Sequence, residues 1–514
     1  MLILCGRLAA QSTQDSLAVR FASTITAQEL EQHLFTIASD SFKGRDTGSE
    51  GLKMAADYLI KHYRSNRLEG ILNAKEYLQS FPVMISQWAE PTIEVNGQIF
   101  TFIDDFYGFP SINSMQVTNL NKVIFAGYGI SSKRYDDFHN LDVNGEAILI
   151  LRGEPVAKDG TYLVSGNQEK SRFTTNYMAS MRTKLQIASE QGARLVLVVD
   201  NDYAANSRRY GVYAKMPSMR LKKEMNKNVN FVFISPEMAQ AIVGKKDLDR
   251  VMKKISKKGK SVTFEIGTDL DVKLQKNDSI IHTANVLAFI EGTDLKDQVL
   301  VITSHYDHVG EQNDVIYNGA DDDGSGTVAV MEIAEAFAEA KSAGYGPRRS
   351  ILFINVSGEE KGLLGSEHYT SNPVIPLENT IANLNIDMIG RVDEPHRDTP
   401  EYVYIIGSDR LSTELHQINE VANATYTQLA LDYKYNAEDD PNRFYYRSDH
   451  YNFAKYSIPI IFYFNGVHED YHQPGDTPDK INYQILESRA RLIFHTAWQL
   501  VNQDQRIKVD VSGE

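Results

Sequence analysis

His305, Asp307 and His308 close the run VLVITSHYDHVG, and three consecutive aspartates, Asp321, Asp322 and Asp323, follow after a short polar loop. Similar donors recur downstream. SILFINVSGEEKG carries Glu359 and Glu360, IANLNIDMIG carries Asp387, and IPIIFYFNGVHEDYHQPGDT carries His468 and His472. Taken singly, each is weak: a Glu-Glu pair after a strand is ordinarily a solvated turn, an Asp run a loop or helix N-cap, a lone His structural. Together they are apolar strand-like runs that all finish in imidazole or carboxylate donors, which zinc takes, with manganese or cobalt as alternatives. The donors exceed what one zinc needs. Two metals about 3.5–4 Å apart, sharing one carboxylate, fit better, and such a pair activates a water while polarising a carbonyl. The single cysteine, Cys5, excludes a multi-thiolate site and any disulfide within the chain.

These donors need elements to hold them. Asn285–Glu291, Val299–Ser304, Ser350–Val356, Ile381–Ile386, Tyr402–Ile406 and Ile458–Phe464 read as buried strands, being short, apolar and rich in β-branched residues. Helical patterns over Gly324–Ala343, Leu411–Asn423 and Gln484–Gln503 are interspersed with them. The alternation predicts an α/β fold: a mixed, mostly parallel sheet covered by helices on both faces. In such sheets the ligand site lies at the carboxyl ends of the strands, where the donors are found. Ahead of the sheet, Thr26–Asp40 predicts a helix opened by a Thr26/Glu29 capping box. Gly51–Tyr63 predicts a second helix with Met54, Tyr58 and Leu59 on one side. Between them, SFKGRDTGSEG is a polar loop whose Arg45 and Asp46 read equally as a surface pair or as part of an active-site rim.

From Val117 the pattern changes to short apolar strands and turns around one clear helix at Lys184–Gly192, with no histidine between His139 and His282. Residues 116–267 are therefore expected to be an inserted, mainly-β, non-catalytic module, with 24–115 and 268–510 forming one discontinuous catalytic domain. The lysine-rich stretch Lys245–Lys260 is read as a solvated amphipathic helix and turn, with Leu248, Val251, Met252 and Ile255 inward, in preference to a polyanion site. A length of 514 residues fits two or more domains, and a formal charge of −15 argues against nucleic acid as the main partner. No apolar run reaches the roughly 18 residues of a membrane span. Residues 1–23 are expected to be a tail or signal remnant, with Cys5 a possible lipidation point for which Leu4 is a poor neighbour.

The motifs SHYDHVG, GADDDGSGT, SGEEKGLLGS, NIDMIG and YHQPGDT, in that order, resemble the M28 family of co-catalytic zinc metallopeptidases. The N-terminal GRDTGS loop is similar to longer members, and the inserted block resembles their protease-associated (PA) domain. The resemblance implies the zinc-exopeptidase fold, two zinc ions and a peptide substrate. Position by position, it implies one metal on His305 and Asp387 and another on Glu360 and His472. Asp322 would bridge the two metals, and Glu359 would act as general base. It also implies a cis peptide at Asp322–Asp323, and export to the periplasm, cell envelope or medium. Three carboxylates and two neutral imidazoles would leave about one positive charge on two zinc ions. Asp307, two residues past His305, can accept from that imidazole and orient it. The expected activity is removal of N-terminal residues from peptides. The alternatives are a carboxypeptidase using Arg443 or Arg447 for the substrate carboxylate, a single-zinc glutaminyl cyclase, or a binding protein on the same fold. Arg447, Asp449 and His450 of the RSDH segment, together with His468, are placed at the substrate pocket, with Tyr445, Tyr446 and Tyr451 as further lining or as surface packing. His308 and His468, close to the ligands, read as groups around the ligands or in the substrate pocket in preference to alternative ligands, with a structural role as a further reading. Side-chain preference and oligomeric state are not legible.

Overall fold

The computed structural model describes residues 14–110, 118–174, 177–222 and 229–511. The Cys5 reading lies outside them. The chain divides into two compact units, Met1–Pro82 with Ile281–Glu514, and Val83–Ile280.

The first unit is built on strands β1 (Lys276–Ile290), β2 (Leu295–His305), β3 (Arg349–Val356), β4 (Thr380–Ile386), β5 (Tyr402–Ile406), β6 (Ala430–Asp432) and β7 (Ile460–Phe464). They lie in the order β6-β5-β7-β4-β2-β3-β1. β2 runs parallel to β3 and β4, and β4 parallel to β7, so the carboxyl ends of these four strands share one edge. β1 against β3 and β5 against β7 are antiparallel, which makes the sheet mixed. β3, β4, β5 and β7 are buried along their whole length. The cause is cover on both faces, which the alternation of side chains across each strand makes visible. Leu300, Ile302, Ile351 and Phe353 pack against Leu30 and Leu34 of helix Ala27–Ile37, Leu59 of helix Glu50–Ser65, Phe337 of helix Gly326–Ser342 and Phe494 of helix Tyr483–Asn502. Val299, Val301, Leu352 and Ile354 pack on the opposite face with Tyr369 and Phe453. Phe353 is wholly buried; truncating such a side chain to Ala costs about 3–5 kcal/mol.

Three details depart from expectation. Ser16–Ala22, expected as tail, is a helix capped by Asp15, and its Phe21 stacks on Trp498 with ring centroids 6.0 Å apart. Met54 is 39% exposed, and the buried face of its helix is carried by Leu52, Ala55, Leu59 and Tyr63. The helix expected from Gly324 starts at Gly326, because Ala320–Ser325 forms a wider turn in which Asp322 takes the non-helical φ −102°, ψ 98°. The capping hydrogen bond from Glu29 N–H to Thr26 Oγ1 is present at 3.2 Å.

The second unit holds an eight-stranded sheet. Its strands Thr118–Ala126, Ala147–Leu151, Leu195–Val199 and Asn230–Ile234 run parallel, each to the next. Parallel neighbours need crossover connections, and helices Tyr177–Glu190, Tyr203–Lys215 and Pro236–Val243 lie among them in the chain. The unit is thus mixed α/β where a mainly-β module was expected. It also extends beyond 116–267, since Thr92–Val95 and Gln98–Thr101 join the sheet through antiparallel pairing with Thr263–Lys273. The lysine-rich stretch forms helix Leu248–Lys258, with Ile255 buried and a left-handed C-cap at Gly259, φ 62°.

Candidate metal centre

β2 delivers His305 at its last residue, with only 1% of the side chain exposed. Its Nδ1 lies 3.0 Å from the backbone carbonyl of Asp307. A proton donated there fixes the tautomer that leaves Nε2 a free donor atom. The orienting group is thus the Asp307 carbonyl, not the carboxylate expected from the sequence. The backbone carbonyl comes closer than the side chain, whose carboxylate Oδ1 stays 3.9 Å away. That carboxylate accepts instead from Thr47 Oγ1 at 2.8 Å and from the Glu359 N–H at 3.2 Å.

His305 Nε2 faces Asp322 Oδ1 at 3.3 Å, Asp387 Oδ1 at 3.7 Å and Glu359 Oε2 at 3.9 Å. Asp387 follows β4 directly, and its Oδ2 accepts from Ser448 Oγ at 2.6 Å. The second oxygen of Asp322 lies 2.9 Å from His472 Nε2 and 3.7 Å from His308 Nδ1. Glu360 faces the same two imidazoles, Oε1 to His308 Nδ1 at 2.9 Å and Oε2 to His472 Nε2 at 3.1 Å. The donors thus fall into two groups that share Asp322: His305 with Asp387, and His308 with Glu360, each set lying within 4.8 Å. His308, expected around the ligands or in the substrate pocket in preference to a ligand position, joins the second group, with His472 facing the same two carboxylates. Glu359 and Glu360, adjacent in a turn past β3, part, one toward each group.

The loop carrying Asp322 is held by its neighbours. Asp476 accepts from the Asp321 N–H at 3.0 Å and the Asp322 N–H at 3.1 Å. Asp323 accepts from Gly326, Met388 and His305 backbone N–H groups, joining the loop to β2 and β4. The Asp322–Asp323 peptide is cis, as the resemblance implied. Arg45 is buried beneath the loop and donates to the carbonyls of Ile37, Tyr306, Asn318 and Gly319 at 2.8–2.9 Å. Asp46 pairs with Lys361 at 2.7 Å, so the GRDTGS loop braces three of the donor-bearing segments.

The chemistry of the donors fits divalent cations. His305 Nε2, His308 Nδ1, Asp322 Oδ2 and Glu360 Oε1 are buried polar atoms whose close approaches to neighbouring donors do not make well-formed hydrogen bonds, a state that buried groups otherwise avoid. Burial opposes charging His305, yet Glu359, Asp322 and Asp387 push its pKa well above the imidazole value. Against the same burial, Asp322 and Glu360 push His472 up to about 10. Protons here balance excess carboxylate charge that bound cations would balance instead. Burial, with the like charges of Asp387, Glu360 and Asp449, raises Glu359 well above the usual carboxylate range against the opposing pull of His305.

Beside Asp322, Glu359 and Asp387 the cleft is lined by Met388, Phe444, Phe462, Phe464 and Val467, with Arg447 and Tyr471 as its further polar side chains besides Ser448. Of the four expected pocket residues, only Arg447 lines it. Asp449 is fully buried and accepts from Ser366 Oγ. His450 is buried against Phe462, ring centroids 4.6 Å apart, with Nε2 bonded to the Tyr445 carbonyl at 2.8 Å. His468 lies beneath the aspartate loop, Nε2 3.2 Å from Asp321 Oδ2. Tyr445, Tyr446 and Tyr451 pack edge-on against one another and do not line the cleft. Tyr471 and Met388 were missed. Each follows or precedes a donor directly, Met388 after Asp387 and Tyr471 before His472, and that adjacency is the signal that could have found them.

Residues 285–497, which carry all of these donors, match the description Peptidase family M28. The match is to this segment of the chain, less than half of its length. A probable zinc metalloprotease of Pyricularia oryzae is 28% identical over 277 residues, 45% of this chain and 53% of that protein. A probable leucine aminopeptidase of Arthroderma otae is 28% identical over 242 residues, 46% of this chain and 62% of that protein. The chain thus spans about half to two thirds of the length of these relatives. The solved aminopeptidase from Aneurinibacillus sp. strain AM-1 shares the fold, with a TM-score of 0.55 at 18% identity, covering 96% of this chain and 99% of that one. No helix among the described residues is long and apolar enough to cross a membrane.

Proposed function

We propose that this protein is a zinc-dependent M28 aminopeptidase that holds two zinc ions, with His305 and Asp387 on one, Glu360 with His308 or His472 on the other, and Asp322 shared. The observation that carries this reading is the placement of Asp322, one carboxylate oxygen 3.3 Å from His305 Nε2 and the other 2.9 Å from His472 Nε2. When bound, the ions would supply Lewis acidity for the scissile carbonyl and for the attacking water. Glu359, beside this centre, takes the proton of the attacking water and hands it to the leaving amine. Such general-base work is worth about 10²–10⁴-fold. Tyr471, whose ring stacks on His472 with centroids 4.0 Å apart, lines the cleft and offers a hydroxyl donor to the oxyanion. The free α-amine of the substrate is drawn by the acidic groups, and its first side chain enters the apolar part of the cleft. The second unit is read as a protease-associated insertion that does no chemistry.

The test compares a free-amine peptide with its N-acetylated form, with zinc content measured on the same sample. Hydrolysis of the free-amine peptide, with zinc bound, is expected. Hydrolysis of the acetylated peptide alone points to a carboxypeptidase and overturns the aminopeptidase reading.

A further inference from the structure

Arg447 is the one cationic side chain in the lining of the cleft. It is exposed, and its guanidinium lies 4.8 Å above the Phe444 ring, which also lines the cleft. It makes no ion pair and no side-chain hydrogen bond among the described residues, although Glu359, Asp387 and Asp322 line the same cleft. The neighbouring arginines are engaged elsewhere. Arg410 donates to the carbonyl of Asn436 at 2.7 Å and covers Tyr445, while Arg443 covers Tyr446.

The position of Arg447 is fixed from the catalytic side. Ser448, the next residue, donates from Oγ to Asp387 Oδ2 at 2.6 Å and accepts from Asn385 Nδ2 at 2.9 Å. Asp449 is bonded to Ser366, and His450 to the Tyr445 carbonyl. The backbone on the carboxyl side of Arg447 is therefore pinned to a metal-donor residue and to the core, and the Arg447 N–H is bonded to the Phe444 carbonyl at 3.0 Å. A guanidinium held over an aromatic ring in the lining of the cleft, with its own charge unpaired, is built to meet a planar anion.

Building on the aminopeptidase reading, we propose that Arg447 selects substrates that bring a carboxylate to this cleft. Two sources have that chemistry: an acidic side chain on the residue being removed, and the free C-terminal carboxylate of a dipeptide. The guanidinium meets the carboxylate through paired N–H···O bonds.

The experiment measures kcat/KM of the zinc-loaded full chain on two matched pairs. N-terminal Glu against Gln in otherwise identical peptide amides reads the side-chain source. Leu-Gly against Leu-Gly-amide reads the C-terminal source. In at least one pair the charged member is expected to win by about tenfold or more, the ratio equivalent to about 1.4 kcal/mol. In Arg447→Gln that ratio is expected to fall to about one, Arg447→Lys to keep part of it, and Arg447→Glu to reverse it. Hydrolysis of the neutral members with no charged preference in either pair overturns this inference and leaves the peptidase reading standing. A preference that survives Arg447→Gln overturns it equally. Failure to hydrolyse any of the four overturns the peptidase reading and this inference with it.

Discussion

His308 Nδ1 lies 2.9 Å from Glu360 Oε1, while His472 Nε2 approaches the other oxygen of the same carboxylate at 3.1 Å. The second donor group thus offers two imidazoles to one ion, a number that zinc sites commonly use. His472 keeps 37% of its side chain exposed, and His308 is wholly buried. A ligand at the open end of a site can exchange with substrate or solvent, whereas a buried one fixes affinity. Glu360→Ala is therefore expected to lose one zinc of two, and His308→Ala and His472→Ala each to weaken the same ion by roughly 10–100-fold. Metal analysis after dialysis against a zinc buffer checks this. Full retention of both ions in Glu360→Ala would falsify the assignment.

Removal of the ions should be felt in stability as well as activity. A ligand bound only to the folded state stabilises it by about 2.7 kcal/mol at a hundred times its Kd. Stripping zinc with a chelator is expected to lower the Tm of the chain and to abolish hydrolysis, and zinc added back is expected to restore both. An unchanged Tm on stripping and reloading speaks against a built metal centre.

The brace beneath the site makes a separate prediction. Arg45 is 1% exposed, and its guanidinium satisfies the carbonyls of Ile37, Tyr306, Asn318 and Gly319. Arg45→Met strands these carbonyls without water. We expect a loss of about 3 kcal/mol or more in denaturant unfolding. Zinc affinity should weaken too, because Tyr306 adjoins His305 and the 318–319 turn leads into Asp322. A variant as stable as wild type contradicts the bracing role.

Much of this was legible in the sequence, for a physical reason. A parallel strand buried on both faces must be apolar until it ends, so polar donors placed right after such runs, at His305, Glu359, Glu360 and Asp387, mark one edge of one sheet. Details that depend on turn geometry were not legible. The spacing of His305 and Asp307 does not tell whether the carboxylate or the carbonyl reaches Nδ1. Nor does it place His308 beside Glu360, which is distant in the chain. Arg45 and Asp46 read equally well as a surface pair, since nothing local shows that four carbonyls converge on a guanidinium. In the second unit, apolar runs marked the strands, but their parallel pairing is a long-range property. His468 and His472 look alike in sequence, and only the fold sends one under the aspartate loop and the other to the cleft.

The buried His450 sets the sign of an acid transition. Burial pushes its pKa from 6.5 down to about 3. Below about pH 6.5 the unfolded chain binds a proton that the folded chain refuses until about pH 3. The stabilisation is therefore complete above about pH 6.5 and lost as pH falls toward 3, at about 1.4 kcal/mol per pH unit. Burial lowers His62 and His495 to about 4, so they add the same sign over a narrower window. His450→Gln, which keeps a donor for the Tyr445 carbonyl, should flatten this slope by about that amount in urea unfolding followed from pH 7 to 4. An identical slope in both proteins would contradict the buried neutral imidazole.

Glu359 is the group on which the chemistry turns, with Oε2 3.9 Å from His305 Nε2 and its backbone N–H held by Asp307. The most direct test is kcat of Glu359→Gln on a free-amine peptide at saturating zinc, with zinc content read on the same protein. The expected result is two zinc ions retained and kcat lowered by at least about 100-fold. A kcat near that of wild type, with the zinc still bound, would contradict the account.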